Sequence, residues 1–130
     1  MERSADDFQD ELWMIQAIIQ PFKLDQVTRA LHGVEGFSGM SVTGGRGFGR
    51  VKVTNPAPMG TAHRPREVLD ELTNNMRLEI VVPGRRLADA IVEVIAHTTH
   101  TGNPGDGKIF VWPLARVVRI RTLQEGRDAL

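Results

Sequence analysis

The sequence contains no cysteine and no long apolar run. Without cysteine the fold has no disulfide and no thiolate metal site, and the redox compartment is left unmarked. No apolar stretch approaches the roughly 18 residues that indicate a membrane helix. The first residues, MERSADDFQDEL, are acidic and polar, unlike a signal segment. We therefore expect a cytoplasmic protein.

Excess charge of either sign is also missing, because 16 basic residues balance 16 acidic ones. A protein that binds nucleic acid or a membrane surface usually carries excess positive charge. A sheet that binds RNA would also display aromatic side chains, and these make up only 5% of the chain. The composition therefore predicts no nucleic-acid partner.

The 130 residues are enough for one domain with its own core. We expect residues 1–11 to be a flexible extension and residues 12–130 to form the domain. Its first half reads as a strand LWMIQAIIQ (12–20), a helix with Leu24, Val27 and Leu31 at helical spacing, and a glycine-weakened strand GMSVTGGRGFG (39–49). A loop follows at about 50–75, in which only EVLDEL has the pattern of a short helical turn.

The second half repeats this order. It contains a strand MRLEIVVP (76–83), a helix RRLADAIVEVIAHTTH expected to bury Leu87, Ile91, Val94 and Ile95, and two strand-like pieces, KIFVWP and ARVVRIRT. Two β-α-β units around a long loop predict the α+β class, with a ferredoxin-like antiparallel sheet and both helices on one face. The strands at 12–20 and 78–82 are apolar on both faces, which predicts a homo-oligomer packed through the open face.

A glycine-rich stretch, TGNPGDGKIFVWP (101–113), precedes the last strands. It is either an ordinary turn or an anion site in which main-chain N–H groups and Lys108 meet phosphate. Arg119 and Arg121 are two residues apart and would share one face of a strand, beside either an anionic ligand or carboxylate partners. Gly47-Phe48-Gly49-Arg50, at the end of the second strand, is the third part of this candidate binding site.

Other polar clusters give weaker signals. His97 and His100 have a spacing that can bind metal, but no third ligand is evident, so a helix surface is favoured and no metal is expected. His63-Arg64-Pro65-Arg66 is either a solvated loop tip or a contact with a ligand or partner. No nucleophile such as Ser41 has a visible activating base, so we expect no catalytic residue and no catalytic cofactor.

Six motifs together resemble the PII signal-transduction proteins across nearly the whole chain. They are PFKLDQV (21–27), GMSVT (39–43), GFGR (47–50), EIVVP (79–83), TGNPGDGKIFV (101–111) and RIRTLQEGRDAL (119–130). The resemblance implies a homotrimer that binds adenine nucleotide in clefts between subunits. It also implies a long loop that controls a target protein, such as a membrane transporter, whose identity the sequence does not give.

Site residues follow from the matching motifs. The resemblance assigns phosphate binding to Gly105, Asp106, Gly107, Lys108, Arg119 and Arg121. It assigns adenine and ribose contacts to Ile18, Ser41, Gly47 and Val81, and the hinge of the loop to Gly49 and Arg50.

The chain also departs from the family pattern. Val51 stands where the family has a glutamine that helps bind magnesium and 2-oxoglutarate, and a hard cation gains no ligand from valine. The loop has no tyrosine to be uridylylated, Asn74-Asn75 replaces a lysine, and Leu123 replaces the usual tail glycine. With these departures the chain resembles a divergent branch of the family, such as the carboxysome-associated PII proteins, which respond to ADP or AMP and to bicarbonate.

The resemblance thus implies a non-enzymatic sensor of ADP or AMP, with ATP as a further ligand, that acts in inorganic-carbon transport or metabolism. Bicarbonate would bind near Arg46, Arg50 and the backbone of Val51. The alternative is a PII nitrogen regulator that senses ATP or ADP together with 2-oxoglutarate.

Overall fold

The structure, a computed structural model, describes residues 11–48 and 73–130, together with the backbone of residues 51–52 and 67–68. Of the predicted extension 1–11, only Glu11 is among the described residues. The strands are β1 Leu12–Ile19, β2 Ser41–Gly47, β3 Val51–Lys52, β4 Glu67–Val68, β5 Thr73–Pro83 and β6 Gly107–Leu114. The helices are α1 Leu24–His32 and α2 Arg85–Thr99, with short 3-10 turns at Pro21–Lys23 and Gly126–Ala129.

Four strands form an antiparallel sheet in the order β2-β5-β1-β6. The apolar strands β1 and β5 are central, with Ile15 opposite Ile80. Alternate residues of a strand point to opposite faces, so one face of β1 carries Trp13, Ile15, Ala17 and Ile19, all buried. This sheet with two helices confirms the predicted α+β, ferredoxin-like class.

The core lies between this face and the two helices. The helix residues that share it with the sheet are Val27 and Leu31 of α1 and Ala88, Ile91 and Ile95 of α2. The expected core residues Leu24, Leu87 and Val94 are only partly buried against it. Neither helix in the described part of the chain is long and apolar enough to cross a membrane.

The start of α2 is tied to the start of β1. Gly84, with φ of 87°, precedes the helix, and its N–H donates to the Glu11 carbonyl at 2.8 Å. The guanidinium carbon of Arg85 lies 5.0 Å from the ring centroid of Trp13. Because Trp13 is only 6% exposed, this cation–π contact covers one end of the core.

The opposite face of the sheet, called here the open face, is covered by no helix among the described residues. Met14 and Ile18 of β1 are half-buried there, and Phe110 and Trp112 of β6 are 44% and 39% exposed. The predicted apolar character of both faces of β1 is therefore confirmed. The homo-oligomer inferred from that character stays a prediction.

The strand predicted at ARVVRIRT is wrong. Residues 119–124 form a turn in which the Leu123 N–H donates to the Arg119 carbonyl at 2.7 Å and the Arg119 N–H to the Gln124 carbonyl at 2.9 Å. A single bridge joins Val118 to Glu125. Two main-chain N–H groups thus find partners within the segment itself. Its apolar alternation does not reflect core packing, since Ile120 is 89% exposed.

The helical turn predicted at EVLDEL is also wrong at its first two residues. Glu67 and Val68 form β4, which pairs with Lys52 and Val51 of β3. A six-residue helix makes few internal hydrogen bonds, whereas cross-strand pairing satisfies the same backbone groups directly. Residues 69–72 and the cluster His63–Arg66 lie outside the described residues.

Candidate functional site

The glycine loop, residues 101–107, connects α2 to β6 and is closed by Asp106. The Asp106 carboxylate accepts hydrogen bonds from the Thr101 hydroxyl at 2.5 Å, the Thr101 N–H at 2.7 Å and the Gly102 N–H at 2.9 Å. These contacts, the Thr101 hydroxyl first, lower the pKa of Asp106, with a smaller contribution from His100 and against the effect of desolvation. The carboxylate is therefore an internal anchor of the loop.

The end of β1 determines where this loop lies. Gly107 pairs with Ile19 and Lys108 with Ile18. A β-carbon on Gly107 would overlap the carbonyl of Ile18, so only glycine allows β6 to begin this close to β1. The glycines of the loop therefore serve a close backbone approach as well as a turn.

Gln20 forms a second contact between β1 and the glycine loop. Its side-chain Nε2 donates to the Gly105 carbonyl at 2.8 Å. Sequence reasoning missed both Gln20 and Thr101. Gln20 gives no motif signal, because an amide next to Pro21 is ordinary at the end of a strand.

The open face brings together several predicted site residues. Lys108 lies beside Ile18 on the neighbouring strand, and Ile18 lies beside Arg77 of β5. Ser41 pairs with Glu79, and Val81 lies two residues further along β5. Alternate residues of a strand share a face, so Ser41 and Val81 also face away from the helices. Ile18, Ser41, Val81 and Lys108 thus share one face, but Ser41 and Lys108 lie on opposite edge strands.

Gly47 lies at the base of the segment between β2 and β5. It pairs with Thr73, whose hydroxyl donates to the Gly47 carbonyl at 3.2 Å. The Asn75 side chain packs nearby, since a β-carbon on Gly45 would lie 2.8 Å from its Oδ1. Gly47 and Thr73 lie at the same end of the sheet as the glycine loop. Register shows this, because Gly44 and Gly107 occupy one row of paired residues across the four strands.

Two further groups of predicted residues are only partly described. Gly49 and Arg50 lie outside the described residues. Val51 is described only as backbone, in β3. Arg46 lines a depression of about 450 Å³ with Pro21, Asn74 and Asn75. The predicted anion site at Arg46, Arg50 and Val51 therefore stays a prediction.

The two arginines have different environments. Arg119 is half-buried, and its Nε and Nη2 donate to the main-chain oxygens of Ala129 and Leu130 at 3.2 and 2.7 Å. Arg121 is exposed on the turn. Their predicted placement on one face of a strand is wrong because the segment is a turn. Their binding to phosphate stays a prediction.

A recess of about 270 Å³ lies beside the glycine loop. It is lined by Ile18, Ile19, Ala96, Thr99, His100, Asp106, Gly107, Lys108 and Ile109. Lys108 is exposed and supplies positive charge at its edge.

The two helix histidines do not converge. His97 contacts Glu93 at 3.1 Å, while His100 Nδ1 lies 4.0 Å from Asp106 Oδ2. No cluster of three metal-ligating side chains occurs among the described residues.

Comparison with known proteins identifies the class. Residues 12–124 match the family model described as nitrogen regulatory protein P-II. The chain is 43% identical over 116 residues to the nitrogen regulatory protein P-II of Haemophilus influenzae, covering 89% of this chain and 97% of that protein. It is 45% identical, with the same coverage, to the nitrogen regulatory protein P-II 1 of Escherichia coli K12.

Solved structures agree with this assignment. Arabidopsis thaliana PII bound to citrate superposes with a TM-score of 0.70 at 30% identity, covering 98% of this chain and 100% of that one. The B. subtilis GlnK–ATP complex has the same fold, with a TM-score of 0.71 at 24% identity and coverage of 93% and 99%. The chain belongs to the nitrogen regulatory protein P-II family, a family of signalling proteins. The names of its relatives support the nitrogen-regulatory alternative better than the inorganic-carbon interpretation.

Proposed function

We propose that this protein is a non-enzymatic nitrogen regulator that binds adenine nucleotide and signals through the segment between β2 and β5. The observation that carries the proposal is 43–45% identity to nitrogen regulatory proteins over 89% of the chain. The inorganic-carbon role predicted from the sequence has no comparable support. The target protein is left open.

The glycine loop supports binding of a nucleotide phosphate. Main-chain N–H groups of a glycine-rich turn and the exposed ammonium of Lys108 are both attractive to an anion. The oxygens of the Asp106 carboxylate are directed into the loop, where they accept three hydrogen bonds from Thr101 and Gly102.

The open face supports a homotrimer with the nucleotide at the contact between copies. Phe110 and Trp112 form an exposed apolar surface that another copy would cover. Ile18 and Lys108 belong both to that face and to the edge of the glycine loop. A nucleotide at residues 105–108 would therefore border the neighbouring copy, which would supply adenine and ribose contacts.

The oxoacid response is the weakest part of the family pattern in this chain. Val51 supplies no side-chain oxygen, so the magnesium ion that holds 2-oxoglutarate beside ATP in the family would lose one ligand here. We expect nitrogen status to be read through the adenine nucleotide alone, with little gain for ATP from magnesium.

Calorimetric titration with ADP and with ATP tests the binding site. Lys108→Ala and Arg121→Ala should each weaken binding by about 1–3 kcal/mol, the usual cost of removing a charge-assisted contact. Arg29→Ala, on the exposed surface of α1, is the matched control and should bind normally. A wild-type protein that binds neither nucleotide, or that is a monomer by light scattering, would contradict the proposal.

A second set of titrations separates the proposed regulator from a conventional sensor of 2-oxoglutarate and from a protein with an inorganic-carbon role. We expect 2-oxoglutarate to leave the affinity for ATP with magnesium unchanged. Strong tightening by 2-oxoglutarate would show that Val51 does not prevent the oxoacid response and that the protein is a conventional nitrogen sensor. Tightening of ADP by bicarbonate would instead support the inorganic-carbon role, and the coupling would have to be reciprocal.

A further inference from the structure

We propose that Gln20 is a positioning residue for the phosphate-binding loop, an inference that rests on the proposed function. Its side-chain amide donates to the carbonyl of Gly105, a residue 85 positions later in the sequence, at 2.8 Å. In this way the end of β1 would set the orientation of main-chain groups that meet the nucleotide phosphates.

Gln20 is itself held in place on both sides. It directly follows β1, and its own carbonyl accepts the Lys23 N–H at 3.0 Å, closing the 3-10 turn that begins at Pro21. Proline fixes its own φ and restricts the residue before it to extended conformations, and Gln20 has φ −68° and ψ 136°. The side chain of the half-buried Gln20 therefore extends from a rigid point of the backbone, and its hydrogen bond to Gly105 is exposed to solvent.

The hydrogen bond fixes one peptide unit of the glycine loop. In a trans peptide the C=O and the following N–H point in opposite directions. Holding the Gly105 carbonyl at Gln20 therefore directs the Asp106 N–H away from Gln20. The N–H groups of Thr101 and Gly102 already donate to the Asp106 carboxylate. The main-chain donor whose direction depends on Gln20 is therefore the N–H of Asp106.

Both glycines that flank Asp106 contact the end of β1. A β-carbon on Gly105, at φ 91°, would lie 3.2 Å from Gln20 Nε2, and Gly107 lies against the Ile18 carbonyl. The Gly107 contact comes from strand pairing and persists without Gln20. The Gly105 peptide depends on the amide, because glycine can otherwise adopt several conformations. A loop that must be ordered on binding holds its ligand less tightly.

Three variants test the role of Gln20. Gln20→Met keeps the length of the side chain but removes the donor, whereas Gln20→Lys keeps an N–H donor. Gln26→Met, at an exposed position of α1, is the matched control. We expect Q20M to weaken ADP binding by about 2- to 12-fold, the usual range for one neutral hydrogen bond. We expect Q20K to bind ADP at least as tightly as wild type.

Adenosine separates positioning from general damage. Adenosine has no phosphate, so its affinity should not change in Q20M if Gln20 acts through the phosphate-binding loop. Unchanged ADP affinity in Q20M, or an equal loss for ADP and adenosine, would overturn the inference.

Hydrogen exchange in the nucleotide-free protein gives a readout that does not depend on ligand. Amides of residues 105–107 should exchange faster in Q20M than in Q26M, and equal exchange would overturn the inference even if the wild type bound no nucleotide. Wild-type protein that fails to bind ADP would contradict the proposed function separately.

Discussion

Gly107 lies against the main-chain carbonyl of Ile18 so closely that a β-carbon on Gly107 would overlap the oxygen atom. Its φ of 117° is a conformation that other residues rarely adopt. Glycine is therefore required here both by space and by backbone conformation, and a larger residue would change how β6 pairs with β1.

Gly107→Ala and Gly102→Ala separate these two requirements. Gly102 also has positive φ, 87°, but no atom lies within 4 Å of a β-carbon placed on it. We expect Gly102→Ala to lower the free energy of unfolding by about 1–2 kcal/mol through backbone strain alone. Gly107→Ala should lose about 3 kcal/mol or more, since the overlap with Ile18 is added. Urea denaturation measures both, and equal losses would show that the overlap relaxes without cost.

The two arginines of the turn should have separable effects on stability. Arg119→Ala removes two hydrogen bonds to the main chain at Ala129 and Leu130 and should lower the free energy of unfolding by about 1–3 kcal/mol. Arg121→Ala should change it by less than about 0.5 kcal/mol, because Arg121 is exposed. Thermal melts of the two variants provide the comparison. A change below about 0.5 kcal/mol for Arg119→Ala as well would mean that Arg119 does not stabilise the C-terminal turn.

Leu123 adopts φ of 60°, the left-handed region, while its side chain is 75% exposed. Leu123→Gly should therefore stabilise the protein by about 0.5–1 kcal/mol, because relief of strain outweighs the greater flexibility of unfolded glycine. Leu123→Ala keeps the strain and serves as the control in chemical denaturation. Equal stability of the glycine and alanine variants would contradict the strain, and a loss in both relative to wild type would instead indicate that Leu123 packs against another copy.

The stability contribution of Asp106 should depend on pH. Its hydrogen bonds lower its folded-state pKa below the ordinary value of 3.8, so the contribution is present above that value and is lost as pH falls through the folded-state pKa. The difference in melting temperature between wild type and Asp106→Asn should therefore be largest near neutral pH and shrink in acid. Thr101→Val, which removes only the hydroxyl donor, should show a smaller effect of the same sign. A difference that does not change with pH would contradict this role.

The fold was largely predictable because its pattern comes from burial. The odd-numbered residues of β1 and the apolar face of α1 are buried in the core of a single chain. Their spacing therefore predicts a strand and a helix directly. The segment after β6 was not predictable by the same rule. Val118 and Ile120 have strand-like spacing but are exposed in the chain, and positive φ at Leu123 leaves no signal in the alternation of apolar residues.

The site was predictable in its composition but not in its contacts. The glycines and charges of TGNPGDGK are recognisable as a motif, yet only coordinates show that the Asp106 carboxylate closes the loop onto Thr101. Arg119 likewise reads as a ligand contact in sequence and is engaged by main-chain oxygens in the structure. Hydrogen bonds between residues far apart in sequence, such as that from Gln20 to Gly105, follow no local pattern.

The chain's two tryptophans lie in environments that give fluorescence two separate signals. Trp13 is 6% exposed beneath Arg85, whereas Trp112 is 39% exposed on the open face. Emission from Trp13 should change only when the core unfolds, while emission from Trp112 should respond whenever that face is covered or uncovered. Since the chain has no tyrosine, single-tryptophan variants would let intrinsic fluorescence follow folding and self-association in the same sample without an added dye.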